Sequence, residues 1–372
     1  MKKDYSDIFF GTGEKAILDM RSLYESYGYK KYKMRKFEEY DLYLENKSFL
    51  AGESIITFTD LNGKLLALKP DVTLSIAKNA KLKGHDAQKL YYTENVYRES
   101  RAGNEYKEIM QVGLEYIGKI DLCVLCEVIS LAAKSLHTIS ANYVMDISHL
   151  GFASGLLDET ELKQSAKTEV LKMLSQKDAH SIAALCEREN VKAELSEKLI
   201  ALPSVYGNFK ETLRKAEKLV VNDKMREALS ELYGIYGVLK NEKPAKNLRL
   251  DFSITNDLSY YNGIIFQGFV DGVPCDILSG GRYDNLMQKL GTPAEAIGFA
   301  VYIDLLERYF KDSAETDVDV LLTYSDKDDT AAVLKEADKI RKSGKSVRVQ
   351  KSGDTKIKYG EKITFEGGAE NA

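Results

Sequence analysis

Strand-forming sequence in this chain comes in two blocks, with a long stretch between them that supplies none. Runs rich in Val, Ile, Tyr and Phe end near residue 154 and resume at residue 246. Between them Leu, Ala, Lys and Glu dominate and β-branched runs vanish. β-Branched and aromatic side chains suit a pleated surface, whereas straight-chain residues lose little freedom in a helix. Any large sheet must therefore be assembled across a helical insertion at residues 155–245. A doubly wound parallel sheet, which needs strands and helices to alternate, does not fit. The expectation is an α+β fold. Its antiparallel sheet and flanking helices come from residues 1–154 and 246–312, and residues 317–372 form a small α/β unit.

Local signals fill in this outline. GEKAILDMRSLYESY (13–27) has helical spacing, with Ile17, Met20 and Leu23 on one side and Gly28 as the stop. SIITFTDLNGKLLALKP reads as a hairpin closed by a two-residue Asn62-Gly63 turn. DVTLSIAKNA follows as a helix from Thr73. KLYYTENVYRES and EYKEIMQVGLEYIG read as two strands joined by the polar SRAGN, and a helix at 120–137 and a short strand near Tyr143–Asp146 close the first block. After the insertion NLRLDFSI, IIFQGFV and VPCDILSGG read as strands, and IGFAVYIDLLERYF as a strand running into a helix. The last unit reads as strand VDVLLTY, helix DTAAVLKEADKIRKSG, strand SVRVQ and a KIKYGEKITFE hairpin, with GGAENA as a frayed tail.

Charge and cysteine content exclude several classes. The net charge of −4 and pI of about 5.8 provide no global basic field to draw in nucleic acid. No apolar run approaches the ~18 residues that would span a membrane, and MKKDYSDIFF lacks the apolar core of a secretory signal. Four cysteines make no disulfide framework, so a cytoplasmic location is expected. Cys123 and Cys126 form a CxxC inside a helix-like run, which reads as two small residues on a buried helix face. His85, His137, His149 and His180 are scattered and cluster with no cysteine or acid. No metal or cofactor is expected.

NDLSYYNGIIFQGF (256–269) carries the chemistry. Two adjacent tyrosines where a strand begins suit the wall of a small-molecule pocket. A pocket that activates a bound acid would also need a fixed cation, and this stretch holds none.

LALKPDVTLSIAK (66–78), NVYRES…YKEIMQVGLEYIG (95–118), DLSYYNGIIFQGF (257–269) and SGGRYDNL (279–286) occur in the order found in the histidyl-tRNA synthetase catalytic domain. The second stretch resembles motif 2 of a class II aminoacyl-tRNA synthetase. The third and fourth resemble the two histidine-specific signatures. The resemblance covers roughly residues 1–150 and 245–312, and it implies a class II synthetase-like antiparallel sheet. Residue by residue it implies a histidine pocket. Asp71 and Thr73 stand where that family holds the substrate ammonium. Gln111 and Glu115 match positions binding the amino group and imidazole. Tyr260 and Tyr261 match the pair enclosing the ring.

The phosphate-binding set departs from that family. The arginine that opens the histidine signature is Asn256 here. Glu105 and Lys107 replace motif 2 arginines, and Asp304 and Leu305 replace the Glu-Arg pair of motif 3. The usual motif 1 proline is Arg35, and Arg98 alone remains of the phosphate set. Nucleotidyl transfer rests on preorganised cations around the phosphates, each worth ~3–4 kcal/mol of transition-state stabilisation. Adenylation should therefore be lost.

A kept amino-acid pocket beside a lost phosphate site resembles the regulatory subunits of ATP phosphoribosyltransferase. KFEEYDLY (36–43), KPDVT (69–73) and MDISHLGFASGLL (145–157) also look like that family. The resemblance implies a short-form catalytic subunit as partner in a hetero-octamer, a homodimer as building block and L-histidine as effector. No tRNA is expected, because residues 317–372 look like a truncated anticodon-binding domain. Two rivals stay open. An active histidyl-tRNA synthetase would need the missing arginines. A synthetase-like module acting on RNA or a kinase would need a basic stripe with interleaved aromatics, for which KKYKMRKF (30–37) is the candidate. A solvated connection with Tyr32 and Met34 packed inward explains that stretch more simply.

Overall fold

A computed structural model of the chain describes residues 12–46, 55–80, 87–99, 105–255, 260–309 and 316–366. Asn256, His85, residues 100–104 of the SRAGN connection and the GGAENA tail lie outside the described residues. The chain folds as two compact units, Met1–Phe310 and Lys311–Ala372.

The first unit is built on a nine-stranded sheet. Its strands are β1 (Lys30–Lys31), β5 (Gln88–Glu99), β6 (Tyr106–Gly118), β7 (Tyr143–His149), β8 (Tyr206–Asn208), β9 (Leu248–Asp251), β10 (Ile264–Val270), β11 (Leu278–Arg282) and β12 (Glu295–Tyr302). They lie in the order β1-β5-β6-β12-β11-β10-β7-β9-β8. The run from β5 to β7 is antiparallel throughout, whereas the β1–β5 and β7–β9 pairs are parallel. The expected antiparallel sheet is therefore mixed at its two flanks.

Side chains that face each other across neighbouring strands share one face of a sheet, and the next residue along points to the other. Two adjacent rows show what this register does. Tyr91, Leu114, Phe299, Gly280, Phe266, Ile147 and Leu250 are cross-strand partners in turn. The six side chains of that row belong to the main apolar core. Gly280 is needed there, since a Cβ would lie 2.4 Å from the Phe299 Cβ and 2.8 Å from Phe266. One residue over, the row reads Tyr92, Gly113, Ala300, Ser279, Gln267, Asp146, Arg249 and Asn208. One face of the sheet is thus oily and the other mostly polar.

Helices cover the oily face. α1 (Thr12–Ser26) buries Met20 and Tyr24, with Ile17 and Leu23 packed at its margin. A small sheet follows, of β2 (Phe37–Glu39), β3 (Thr57–Thr59) and β4 (Leu65–Leu68), with α2 (Tyr40–Glu45) and then α3 (Thr73–Asn79). The β3–β4 hairpin forms, but its turn is not the expected two-residue one. Asp60 and Lys64 still pair (Asp60 N–H to Lys64 O, 2.9 Å), and Gly63 has φ +80°. The Asp60 side chain accepts the Asn62 and Lys64 N–H groups (both 2.8 Å), which favours the tighter first turn and leaves glycine to reverse the chain.

α4 (Leu122–Ile139) is the central core helix, with Leu125, Val128, Ile129, Leu131, Ala132 and Leu136 buried. By length and composition it could cross a membrane, contrary to the expectation that no apolar run is long enough. Its sequence is apolar because the core receives it on several sides. The CxxC expectation also needs correction. Only Cys126 is buried and Cys123 is exposed, since Cys123 sits on the first turn, where the helix leaves the core.

Residues 155–245 carry helices α5 (Leu150–Asp158), α6 (Gln164–Ser175), α7 (Ala179–Arg188), α8 (Ala193–Ala201), α9 (Phe209–Glu217) and α10 (Asp223–Leu239), and also strand β8. These helices share the core of the first unit. His149 joins them to the sheet, correcting the reading that no histidine meets an acid. Its Nδ1 accepts the Gly151 N–H (3.1 Å), so Nε2 carries the proton and donates to Glu231 on α10 (3.0 Å). α11 (Asp284–Lys289) and α12 (Ile303–Tyr309) complete the unit.

In the second unit β13 (Val318–Tyr324) lies between β14 (Val347–Lys351) and β15 (Tyr359–Thr364), with α13 (Thr330–Lys342) between β13 and β14 in sequence. KIKYGEKITFE is not a hairpin: β15 is one strand, parallel to β13. Gly360 marks a close backbone approach, 3.0 Å from the Asp319 carbonyl oxygen to an added Cβ, and not a turn.

Two glycines test the packing with opposite signs. Gly280→Ala is expected to destabilise the first unit by about 1–3 kcal/mol through overpacking. Gly237→Ala, on α10 with open space around it, should stabilise by about 0.5–1 kcal/mol. Urea denaturation of both variants checks the pair of signs.

Candidate functional site

The signature residues converge on the polar face of the sheet around β6. Gln111 and Glu115 lie four residues apart on that strand, so both project from one face, and both are buried. Glu115 fits there because its cross-strand partner is Gly298. A Cβ at that position would lie 1.7 Å from Glu115 Oε2. Gly113 similarly leaves room for the Tyr92 ring, and Gly281 for Tyr261. Glycines on the central strands thus form the floor on which a carboxylate and two aromatic rings rest.

Glu115 is held at both oxygens. Thr73, the first residue of α3, donates its hydroxyl to Oε1 (2.6 Å), and Tyr283 donates to Oε2 (2.7 Å). Burial pushes the Glu115 carboxyl up to about 8, and the nearby Asp71 charge adds to the rise. The two hydroxyl bonds oppose the rise.

Asp71 stands at the start of the same helix. Its Oδ1 accepts the Leu74 N–H (2.7 Å), and its Oδ2 lies 3.4 Å from the Arg98 guanidinium. Burial raises its carboxyl and Arg98 opposes that rise. Arg98 also donates to the Pro70 carbonyl (2.6 Å). Gln111, only 4% exposed, makes no side-chain hydrogen bond among the described residues. Its amide is thereby left available to a ligand.

Tyr260 and Tyr261 stack edge to face at 4.7 Å, and Tyr260 lies 5.9 Å from Tyr283. Tyr260 lies beside Thr73, and burial holds its hydroxyl well above the usual range. Asn262 and the GGRYD stretch lock this loop down. Asn262 N–H donates to the Arg282 carbonyl (3.0 Å), and Asn262 Oδ1 accepts the Asp284 N–H (2.7 Å). Arg282 in turn bridges Asp284 (2.7 Å) and Glu295 (2.5 Å).

Asp71, Thr73, Arg98, Glu115, Tyr260 and Tyr261 therefore meet in one cluster, and Gln111, the seventh expected residue, lies on the same face of β6 four residues from Glu115. Sequence reasoning missed Tyr283, Tyr92 and Gly298. Tyr283 was within the quoted SGGRYDNL, but nothing in one sequence says which strand its hydroxyl reaches. The phosphate side is poorly equipped. Glu105 and Lys107 face each other at 4.0 Å, and Leu305 packs against the apolar core. In KKYKMRKF, Met34 is buried and Tyr32 packs against the second core cluster, as the simpler reading expected, while Arg35 is exposed.

The shifted carboxyl has a signed consequence. A carboxyl raised on folding holds its proton in the native state while the unfolded chain loses it. Its contribution is therefore full below about 4.5 and is lost as pH rises to about 8. The slope is at most about 1.4 kcal/mol per pH unit. Thermal melts of the unliganded chain should show Glu115→Gln gaining stability relative to the parent as pH rises from 5 to 8. Parallel pH profiles would mean that Glu115 is already ionised.

The family model described as histidyl-tRNA synthetase matches residues 9–306. Among curated relatives, the ATP phosphoribosyltransferase regulatory subunit of Acetivibrio thermocellus is 30% identical over 343 residues, covering 90% of this chain and 82% of the relative. That of Clostridium acetobutylicum is 33% identical over 295 residues, covering 77% and 72%. Two solved structures share the fold. An ATP phosphoribosyltransferase regulatory subunit/histidyl-tRNA synthetase from Bacillus halodurans has a TM-score of 0.79 at 24% identity, covering 95% of this chain and 93% of that one. Histidyl-tRNA synthetase from Nostoc sp. has a TM-score of 0.73 at 19% identity, covering 91% and 82%. With a synthetase-like catalytic fold, a depleted phosphate site and these relatives, the chain belongs to the family of ATP phosphoribosyltransferase regulatory subunits.

Proposed function

We propose that this regulatory subunit senses L-histidine in the cluster around Glu115 and passes the signal to a catalytic partner. The charge balance of the cluster carries the reading. Half-buried Asp71 and buried Glu115 are its two acids, and Arg98, drawn up to Asp71, is the one cation beside them among the described residues. A cationic ligand favours the ionised form of Glu115, which burial alone disfavours, and the Gln111 amide supplies a further polar contact. Asp71, Thr73 and Gln111 suit an α-ammonium, Glu115 an imidazole N–H, and Tyr260 and Tyr261 the ring faces.

The partner is a short-form ATP phosphoribosyltransferase catalytic subunit, which condenses ATP with phosphoribosyl pyrophosphate in the first step of histidine biosynthesis. A solved ATP phosphoribosyl transferase complex from Thermotoga maritima contains a chain of this fold, with a TM-score of 0.62 at 18% identity. We propose a homodimer of this chain as the building block of a cytoplasmic hetero-octamer, in keeping with closed symmetry. No role with tRNA is proposed. Feedback requires histidine to bind one quaternary state better than another, and a coupling of about 1–3 kcal/mol, or 5–150-fold, is typical.

Two outcomes are expected. The purified chain should give no histidine-dependent exchange of pyrophosphate into ATP, because Arg98 is engaged by Asp71 and Pro70 and no arginine replaces Leu305. Exchange at the rate of a true synthetase would contradict the non-catalytic reading. In the reconstituted complex, Glu115→Gln and Tyr261→Ala should weaken histidine inhibition at least 5-fold while leaving histidine-free activity intact. Unchanged inhibition in both, with the fold retained, would move the effector site elsewhere.

A further inference from the structure

The same polar face carries a second feature that the Glu115 cluster does not use. At the far flank of the sheet lies an open cleft of about 540 Å³ over β7, β9 and β8. Asp146, Arg249 and Asn208 are cross-strand neighbours there. They lie in the polar row that begins at Tyr92 and Gly113. Four strand spacings separate β6 from β7, about 19 Å, so the cleft and the Glu115 cluster do not share side chains.

Part of the cleft is already satisfied. Lys177 bonds Asp251 (2.8 Å) and its ammonium sits 3.6 Å over the Tyr206 ring. Asp251 also accepts the Ser253 N–H and hydroxyl. Lys177 holds its place at a backbone cost. It is the left-handed residue (φ +56°) that ends α6, its N–H donating to Leu174 O and that of Asp178 to Met173 O. Glycine is usual at that position, and a side chain there costs about 1–2 kcal/mol.

The remaining groups make no hydrogen bond among the described residues, although Asp146 and Arg249 attract each other across the β7–β9 pair. Asp146 is half-buried, and among the described residues its carboxylate makes no hydrogen bond or ion pair. Burial and the Asp251 charge hold its carboxyl above the usual range, and the Arg249 and Lys177 charges oppose that rise. Arg249 and Lys246 line the cleft as exposed cations, also without hydrogen bonds or ion pairs among the described residues. Two exposed cations suit a dianion, and a guanidinium fork fits phosphate oxygens in pairs. A recessed carboxylate accepts sugar hydroxyls. The Tyr206 residue, 50% exposed, offers an aromatic surface for a planar base. The volume exceeds what a free amino acid fills and lies within the range of small-ligand pockets, roughly 300–1,000 Å³.

We propose that this cleft binds a nucleoside monophosphate, with the phosphate on Arg249 and Lys246, the ribose hydroxyls on Asp146 and the base against Tyr206. This site is separate from the proposed histidine pocket and does not depend on it. The test is calorimetric titration of the full chain with AMP, and separately with inorganic phosphate, using variants checked by thermal melting. Arg249→Ala should weaken AMP and phosphate at least 10-fold. Asp146→Asn should weaken AMP several-fold without weakening phosphate, and Arg98→Ala should leave both unchanged. Three results would overturn the proposal: no saturable AMP binding at millimolar concentration, AMP binding lost with Arg98→Ala but kept with Arg249→Ala, or AMP and phosphate responding identically to Asp146→Asn. Should Asp146→Asn fail to fold, Lys246→Ala replaces it, and AMP binding unaltered in both Lys246→Ala and Arg249→Ala overturns the site.

Discussion

Cross-strand register is the constraint on which the rest of this molecule depends. A strand shifted by one residue would turn Leu114, Phe299, Phe266 and Ile147 out of the core and drive Glu115, Gln111 and Asp146 into it. The oily row draws the helices onto one face and thereby leaves the other face to polar work. Glycines 113, 281 and 298 refine that division, because they let large side chains lie flat over the central strands. Fold and site therefore rest on one set of pairings, and a buried carboxylate can be kept on the sheet without a cavity beneath it.

Charge then decides what the polar face can do. An enzyme that activates a carboxylate with ATP needs cations around phosphates, while the cluster around Glu115 has an excess of acid. Its remaining arginine is drawn into the Asp71 corner. The same core that would position a transition state instead offers hydrogen-bond acceptors and ring faces, which suits equilibrium binding. Regulation asks only for a difference in affinity between states. It does not need the several kcal/mol of transition-state stabilisation that the lost arginines would supply.

Much of this was legible in the sequence, for definite physical reasons. Periodicity located the long strands β5 and β6 and the helix from Leu122, because alternation and helical spacing are local properties. The seven candidate site residues were named from three of the four quoted stretches, since the order and spacing of those stretches resemble a known family. What failed was non-local. KIKYGEKITFE was read as a hairpin, but its strand partner is β13, about forty residues earlier. β8 was hidden in a helical stretch because three residues are too few to show a period. The His149–Glu231 bond and the Tyr283–Glu115 bond join residues 82 and 168 positions apart, and no local pattern encodes either.

The central claim is that the acid and tyrosine cluster on the polar face is where histidine binds. A crystal structure of the chain grown with saturating L-histidine tests it most directly. The account predicts the imidazole packed against the Tyr260 and Tyr261 pair with a ring nitrogen about 3 Å from Glu115, and the α-ammonium near Asp71 and Gln111. Histidine seated at any other surface, with the Glu115 cluster unoccupied, would contradict it.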